Sequence, residues 1–251
     1  MEHTENKGKE GLSPKVKALY GAVLDLIGED VDMRNVKVSD ITCRAGIGKG
    51  TAYEYFNNKE EIISSALLYH INAICSQVME EIRDMGDFPS MLRYLFLCMD
   101  REIEKRDCLV QFLHLVTDNS PVGRVMQEKM HGKNPETCMP MDVIDYMVQA
   151  GIRQGAIGDG LPAVYVNFAL LSKLLMYAMY IAAEKKGETV LGDDGNNAAA
   201  GTIDRERMHG LLCEGLLREL KGRSECFPHL PTNIPFQAEP LPEIKNKEVL
   251  H

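Results

Sequence analysis

The sequence predicts an all-α protein: a small three-helix head built round a helix-turn-helix, joined by one long helix to a larger helical body. Three observations predict it. Apolar residues recur at spacings of three and four through most of the chain, few stretches alternate with period two, and the β-branched runs that announce strands are scarce. The 251 residues are 45% hydrophobic and 26% charged, which suffices for a packed, water-facing fold.

Charge and cysteine usage narrow the classes further. A formal net charge of -9 runs against a protein that coats nucleic acid without selectivity, since such binding neutralises many phosphates. Any contact with an anionic polymer must be local. Residues 1 to 13 are polar and charged, so no secretory signal is expected and the expected compartment is the cytoplasm. Seven cysteines, an odd number with no C-x-x-C pair, speak against a disulfide framework and read as reduced, mostly buried thiols. The longest apolar stretch, Ala163 to Ala183, holds Asn167, Ser172 and Lys173 near its middle. A buried or interface helix fits it better than a membrane span, because charge is costly in lipid.

The elements follow in order. Residues 1 to 12, with Lys7 and Lys9, read as a flexible arm. Ser13-Pro14 opens a helix whose stripe is Val16, Tyr20, Val23, Leu24 and Ile27, and Gly28 can end it. A polar connection leads to a short helix from Val38 to Ala45, a turn at Gly46-Ile47-Gly48, and a second short helix from Lys49 to Phe56. From Lys59 a long helix carries Ile63, Leu67, His70, Ile74, Val78 and Ile82 at helical spacing up to Gly86. Further helices are expected near 89–105, 107–117, 121–131, 140–154, 162–185 and 203–221. Residues 188–202 form a Gly- and Asn-rich loop, and five prolines beyond 222 make 223–251 an extended tail.

The segment from about 37 to 56 carries the chemistry. Ile41 and Ala45 face inward on the first short helix, Ile47 plugs the turn, and Ala52 and Phe56 close the apolar side of the second. Two short helices joined by a tight glycine turn let the second lie in a DNA major groove while the first braces across the backbone. Outward on the second helix stand Lys49, Gly50, Thr51, Tyr53, Glu54 and Tyr55. Gly48 and Gly50 leave backbone N–H groups open to a phosphate or base edge at the positive end of that helix.

Over Val38 to Ile62 (VSDITCRAGIGKGTAYEYFNNKEEI) the chain resembles the DNA-binding signature of TetR-family regulators. The resemblance covers about the first quarter of the chain; the rest is similar in helix order and length. It implies a head at 13–62, an effector-binding and dimerisation domain at 63–222, and binding of double-stranded operator DNA by a homodimer. Carried over by position, it places Lys49, Gly50, Thr51 and Glu54 nearest base edges, and Tyr53, Tyr55 and Lys59 on phosphates. Gly48 opens the helix N-terminus, and Ser39 and Thr42 approach the backbone. Two departures stand out: Lys37 occupies a position where the family commonly has a capping Thr, and Gly48 one where it commonly has Ser. Lysine offers no acceptor for a cap. Between Ser13 and Ile62 seven cations face eight carboxylates, for a head near -1, so modest affinity with steep salt dependence is expected.

In the body, large or polar-tipped residues on apolar stretches are candidates for an effector pocket: Tyr69, His70, Phe112, His114, Met147, Phe168, Met176 and Tyr177. Fourteen methionines suit both an adaptable pocket and ordinary core filling, and for any one of them core filling is the expectation. Leu170, Leu174, Tyr177 and Ile181 on one helix and Leu212, Leu216 and Leu220 on the last make two stripes, expected to pair with a second copy in a four-helix interface. Repression relieved by a small molecule is the expected output. No cofactor is called for, no nucleophile–base–acid constellation can be placed, and no metal site is expected. Cys108 and His114 project from different helix faces, and Cys226 and His229 lie in the tail. The alternative is an effector-independent DNA-binding or interaction protein whose body only dimerises.

Overall fold

The computed structural model describes residues 12–132, 137–188 and 204–221. The expected N-terminal arm, the loop at 188–202 beyond Glu188, and the proline-rich tail with Cys226 and His229 lie outside the described residues. Ten helices and no strands occur among the described residues: α1 Pro14–Gly28, α2 Val38–Arg44, α3 Lys49–Tyr53, α4 Lys59–Arg83, α5 Phe88–Lys105, α6 Cys108–Thr117, α7 Pro121–His131, α8 Pro140–Arg153, α9 Ala163–Lys186 and α10 Arg205–Leu220.

Local chemistry explains most starts. Asn58 Oδ1 accepts the Glu61 N–H at 2.8 Å before α4, Asp87 Oδ1 the Ser90 N–H at 2.8 Å before α5, and Ser120 Oγ the Gly123 N–H at 3.1 Å before α7. Asp204 does the same for α10 with the Arg207 N–H at 2.8 Å. Each satisfies a donor that the first turn cannot. Gly187, at φ +70°, ends α9 in the left-handed region. Ser13 does not cap α1; its hydroxyl lies 3.4 Å from the Tyr55 hydroxyl, and Pro14 supplies the preset φ instead.

α4 is the axis of the molecule. Its first turns pack on α1, and its length packs on α7, α6 and α8, burying Ile62, Ile63, Leu67, Ile71, Val78 and Ile82. Burial of each such side chain is worth about 1.5–3 kcal/mol. At its C-terminal end the chain turns into α5 under a clasp from α8: Gln154 Oε1 accepts the Phe88 N–H at 2.7 Å and its amide donates to the Gly86 carbonyl at 3.3 Å. α5, α9 and α10 pack together on the other side of the body round Phe96, Leu92 and Leu216.

The expected pairing stripes turn out to face inward. Leu170, Leu174, Tyr177 and Ile181 are buried within the protomer, as are Leu216 and Leu220, while Leu212 is half-buried. The opposite face of α9 is the open one: Val164, Tyr165, Phe168, Leu171, Leu175 and Met179 are exposed, as is Leu211 of α10. α9 is apolar on nearly all sides, so periodicity could not tell its two stripes apart.

Candidate nucleic-acid interface

The helix-turn-helix assembles from the inside out. Ile41 and Ala52 are fully buried and Phe56 is 8% exposed, which fastens α2 and α3 beneath α1. Tyr20 of α1 holds Phe56 with ring centroids 6.0 Å apart. Gly46 takes φ +66°, and the Ile47 N–H donates to the Thr42 carbonyl at 3.0 Å, so the chain reverses within three residues. A side chain at 46 would strain this turn.

Lys37 is the residue before α2, yet the helix starts cleanly at Val38 because Asp40 accepts the Lys37 backbone N–H at 2.9 Å. Asp40 thus supplies the returning half of a capping box, and its own N–H is met by the Lys37 carbonyl at 3.0 Å, not by a side chain. Lys59 braces the same entry, its ammonium donating to the carbonyls of Arg34 at 2.8 Å and Val36 at 3.0 Å. Its charge is therefore already engaged in the loop before α2. Thr42 is buried with its hydroxyl on the Ser39 carbonyl at 3.2 Å, and Ser39 is half-buried. Neither Thr42 nor Lys59 offers a free polar end to a phosphate in this arrangement.

α3 presents the open surface. Lys49, Gly50, Tyr53, Glu54 and Tyr55 are exposed and Thr51 is half-buried, with Tyr53 at 53% and Tyr55 at 42%. Gly48 precedes the helix in an extended conformation and caps nothing with a side chain. Arg44, at the end of α2, is held by Glu29 through two short hydrogen bonds of 2.7 and 2.6 Å. That pairing keeps the Glu29 carboxyl below its ordinary range.

The eight pocket candidates do not converge. Met147 and Phe112 are core residues, Phe168, Met176 and Tyr69 are exposed, and His70 is half-buried, its pKa lowered by burial. Tyr177 lies in a buried polar knot: its hydroxyl meets Asp100 Oδ1 at 2.5 Å and His209 Nε2 at 2.6 Å, and His209 Nε2 lies 3.0 Å from Asp100 Oδ2. Only His114 among the eight lines the larger cleft, of about 440 Å³, which opens between the ends of α1, α6 and α9. A smaller cleft of about 330 Å³ lies between α5 and α10 over His209. Asp100 and His209 were missed because their partners lie 77 and 32 residues away from them in sequence.

Burial pushes the Cys75 thiol up to about 12 and those of Cys108 and Cys213 up to about 11, so none of these is a thiolate near neutrality. Among the described residues no group of three His, Cys, Asp or Glu side chains could hold a metal ion. α4 and α9 have the length and hydropathy of a membrane span, a pattern that core helices share.

A three-helix head that exposes the polar side of a short second helix, on a helical body, defines a helix-turn-helix DNA-binding regulator. The chain matches the family described as bacterial regulatory proteins, tetR family, over residues 29–66, the segment that holds the helix-turn-helix of α2 and α3. It is 25% identical over 154 residues to the fatty acid metabolism regulator protein of Bacillus subtilis (strain 168), covering 59% of this chain and 73% of that one. Its fold is that of FadR from Bacillus subtilis in complex with stearoyl-CoA, with TM-score 0.60, 19% identity, and coverage of 80% of this chain and 97% of that one. FadR from Bacillus halodurans gives TM-score 0.60 at 16% identity, over 83% of this chain and 97% of that one.

Proposed function

We propose that the chain binds operator DNA as a homodimer and represses until a long-chain acyl thioester of coenzyme A binds the body. The single observation that carries the DNA half is the exposed, polar side of α3, standing on a packed head whose turn is set by Gly46. On this reading Lys49, Gly50, Thr51 and Glu54 approach base edges, and Tyr53 and Tyr55 hold phosphates. Lys49 is the cation of that surface with no carboxylate partner among the described residues. Two such heads must reach successive turns of one groove, which calls for a second copy. The open apolar face of α9, with Leu211 of α10, is the surface that suits it.

The acyl thioester reading rests on the likeness to a regulator named for fatty acid metabolism. That likeness runs over 154 residues, more than the head contains. A ligand that binds better to a body whose heads are wrongly spaced shifts the population away from DNA. Helix α4, which begins in the head and ends in the body, is the element that can carry the shift.

The test is fluorescence anisotropy with operator fragments selected from a random duplex library by the purified full chain. Wild-type protein should bind in a saturable, salt-sensitive manner. Lys49→Ala and Tyr53→Ala should each lose about tenfold or more, in line with about 1–3 kcal/mol for a groove contact. Stearoyl-CoA should release the DNA where free coenzyme A and stearate do not. Affinity unchanged by the thioester would retire the acyl-effector reading and leave a DNA-binding protein whose body only dimerises.

A further inference from the structure

The last turn of α1 and the residues after it carry four acids; Asp32 pairs with Arg34 of its own loop, and the other three are each engaged by a different element. Asp25 Oδ1 is 3.0 Å from Arg106 Nη1, at the α5–α6 turn of the body. Glu29 holds Arg44 of α2, inside the head. Asp30 Oδ1 accepts from Lys186 Nζ at 2.9 Å, at the end of α9. Asp30 does this from the left-handed region, at φ +58°, the one non-glycine residue so placed among the described residues. Such a backbone persists only where its surroundings hold it.

Below these pairs the head and α9 do not close up. The larger cleft separates Ile27 and Val31 of the head from Val110, Met179 and Ala183 of the body, and Lys186 and Asp30 both stand in its lining. On this side the head is bridged to α9 by charge across a gap. The stem of Arg106 lies against Gly28, where an added Cβ would meet its Cγ at 3.6 Å, so the second pair is seated by packing as well.

We propose that Asp30–Lys186 and Asp25–Arg106 form an ionic seam that sets the angle of the DNA-binding head on the body, making these four residues positioning residues for operator binding. None of them stands on α3, and their effect reaches DNA only through head orientation. The proposal rests on the reading of the chain as a two-headed DNA-binding dimer. Exposed ion pairs are individually weak and screened by salt, but the seam has only to choose among head orientations of similar energy. One partner swings on α9 and the other on the α5–α6 turn, so two attachment points fix an angle where one would leave a swivel.

The test uses the full chain and the selected operator, beside versions lengthened by one and two base pairs between half-sites and a single half-site. Asp30→Asn keeps a side chain that tolerates the left-handed backbone and removes the charge; Lys186→Gln removes the other. Each should lose threefold to tenfold on the native spacing and most of the discrimination against lengthened operators, with half-site affinity unchanged. The double variant should be no worse than either single one. Full discrimination retained in Lys186→Gln, additive losses, or equal losses on the half-site would overturn the seam. Amide exchange at Val31, whose N–H donates to the Leu26 carbonyl at 3.1 Å, is read without DNA and should quicken severalfold in Lys186→Gln; unchanged exchange would also overturn it. Wild-type protein that binds no selected duplex, with the exchange result as expected, would sink the DNA reading and leave the seam as a head–body contact.

Discussion

At the scale of single residues, the positions that matter most for shape carry no side chain. A Cβ at Gly123 would lie 2.2 Å from the Asp118 carbonyl oxygen and 2.8 Å from that of Leu115. Both are backbone atoms that cannot step aside, so Gly123→Ala should cost about 2–3 kcal/mol and lower the urea midpoint. Gly46→Ala should cost about 1–2 kcal/mol from its positive φ alone, since nothing lies within 4 Å of an added Cβ. A larger loss at 46 than at 123 would reverse this ranking of strain against collision. The motif was legible in sequence because its signals are local: Ile41, Gly46, Ile47 and Ala52 all lie within one stretch of twelve residues. Lys37 looked like a damaged cap, and only Asp40 folding back explains why α2 starts where it should. Tyr177, expected in a pocket and at an interface, is instead fixed by Asp100 and His209 on two other helices.

At the scale of elements, the ten helices fall within a few residues of where spacing and caps place them, whereas their orientation was only partly legible. α4 has one dominant stripe and its inward face could be read; α9 has two, and the chosen one is the core. Phe168→Glu with Leu175→Glu, on the exposed face, should leave a folded protein that sediments as a monomer. Leu170→Glu, at a fully buried position, should instead unfold the protomer, and a folded monomer from Leu170→Glu would mean the inward face had been assigned wrongly. The knot joining α5, α9 and α10 gives a pH dependence. Burial holds His209 below its ordinary value of 6.5 in spite of the pull of Asp100, so the folded state keeps it neutral. Its contribution is present above about pH 6.5 and lost as pH falls through the lowered folded value, where the unfolded chain takes up the proton more readily. The fall in urea midpoint from pH 7.5 to 5.5 should therefore be smaller in His209→Gln than in wild type; an equal fall would remove His209 from the account.

At the scale of the whole molecule, a net charge of -9 and a head whose Arg44 and Lys59 are engaged internally leave few cations free for DNA. In place of the steep dependence expected from sequence, affinity should thus fall with salt on a shallow logarithmic slope of about 2–4 per dimer, roughly one phosphate contact for each unit. A slope near 10 would mean that cations beyond the described residues join the contact. The clasp of Gln154 on the α4–α5 turn has a geometric consequence. It pins one end of a 25-residue helix, which at about 1.5 Å per residue is a rod of roughly 37 Å. A rotation of about 5° at the pinned end carries the other end through roughly 3 Å, nearly the rise of one base pair. In a symmetric pair the two displacements add, so small repacking near Phe88 is enough to put the heads out of step with the double helix.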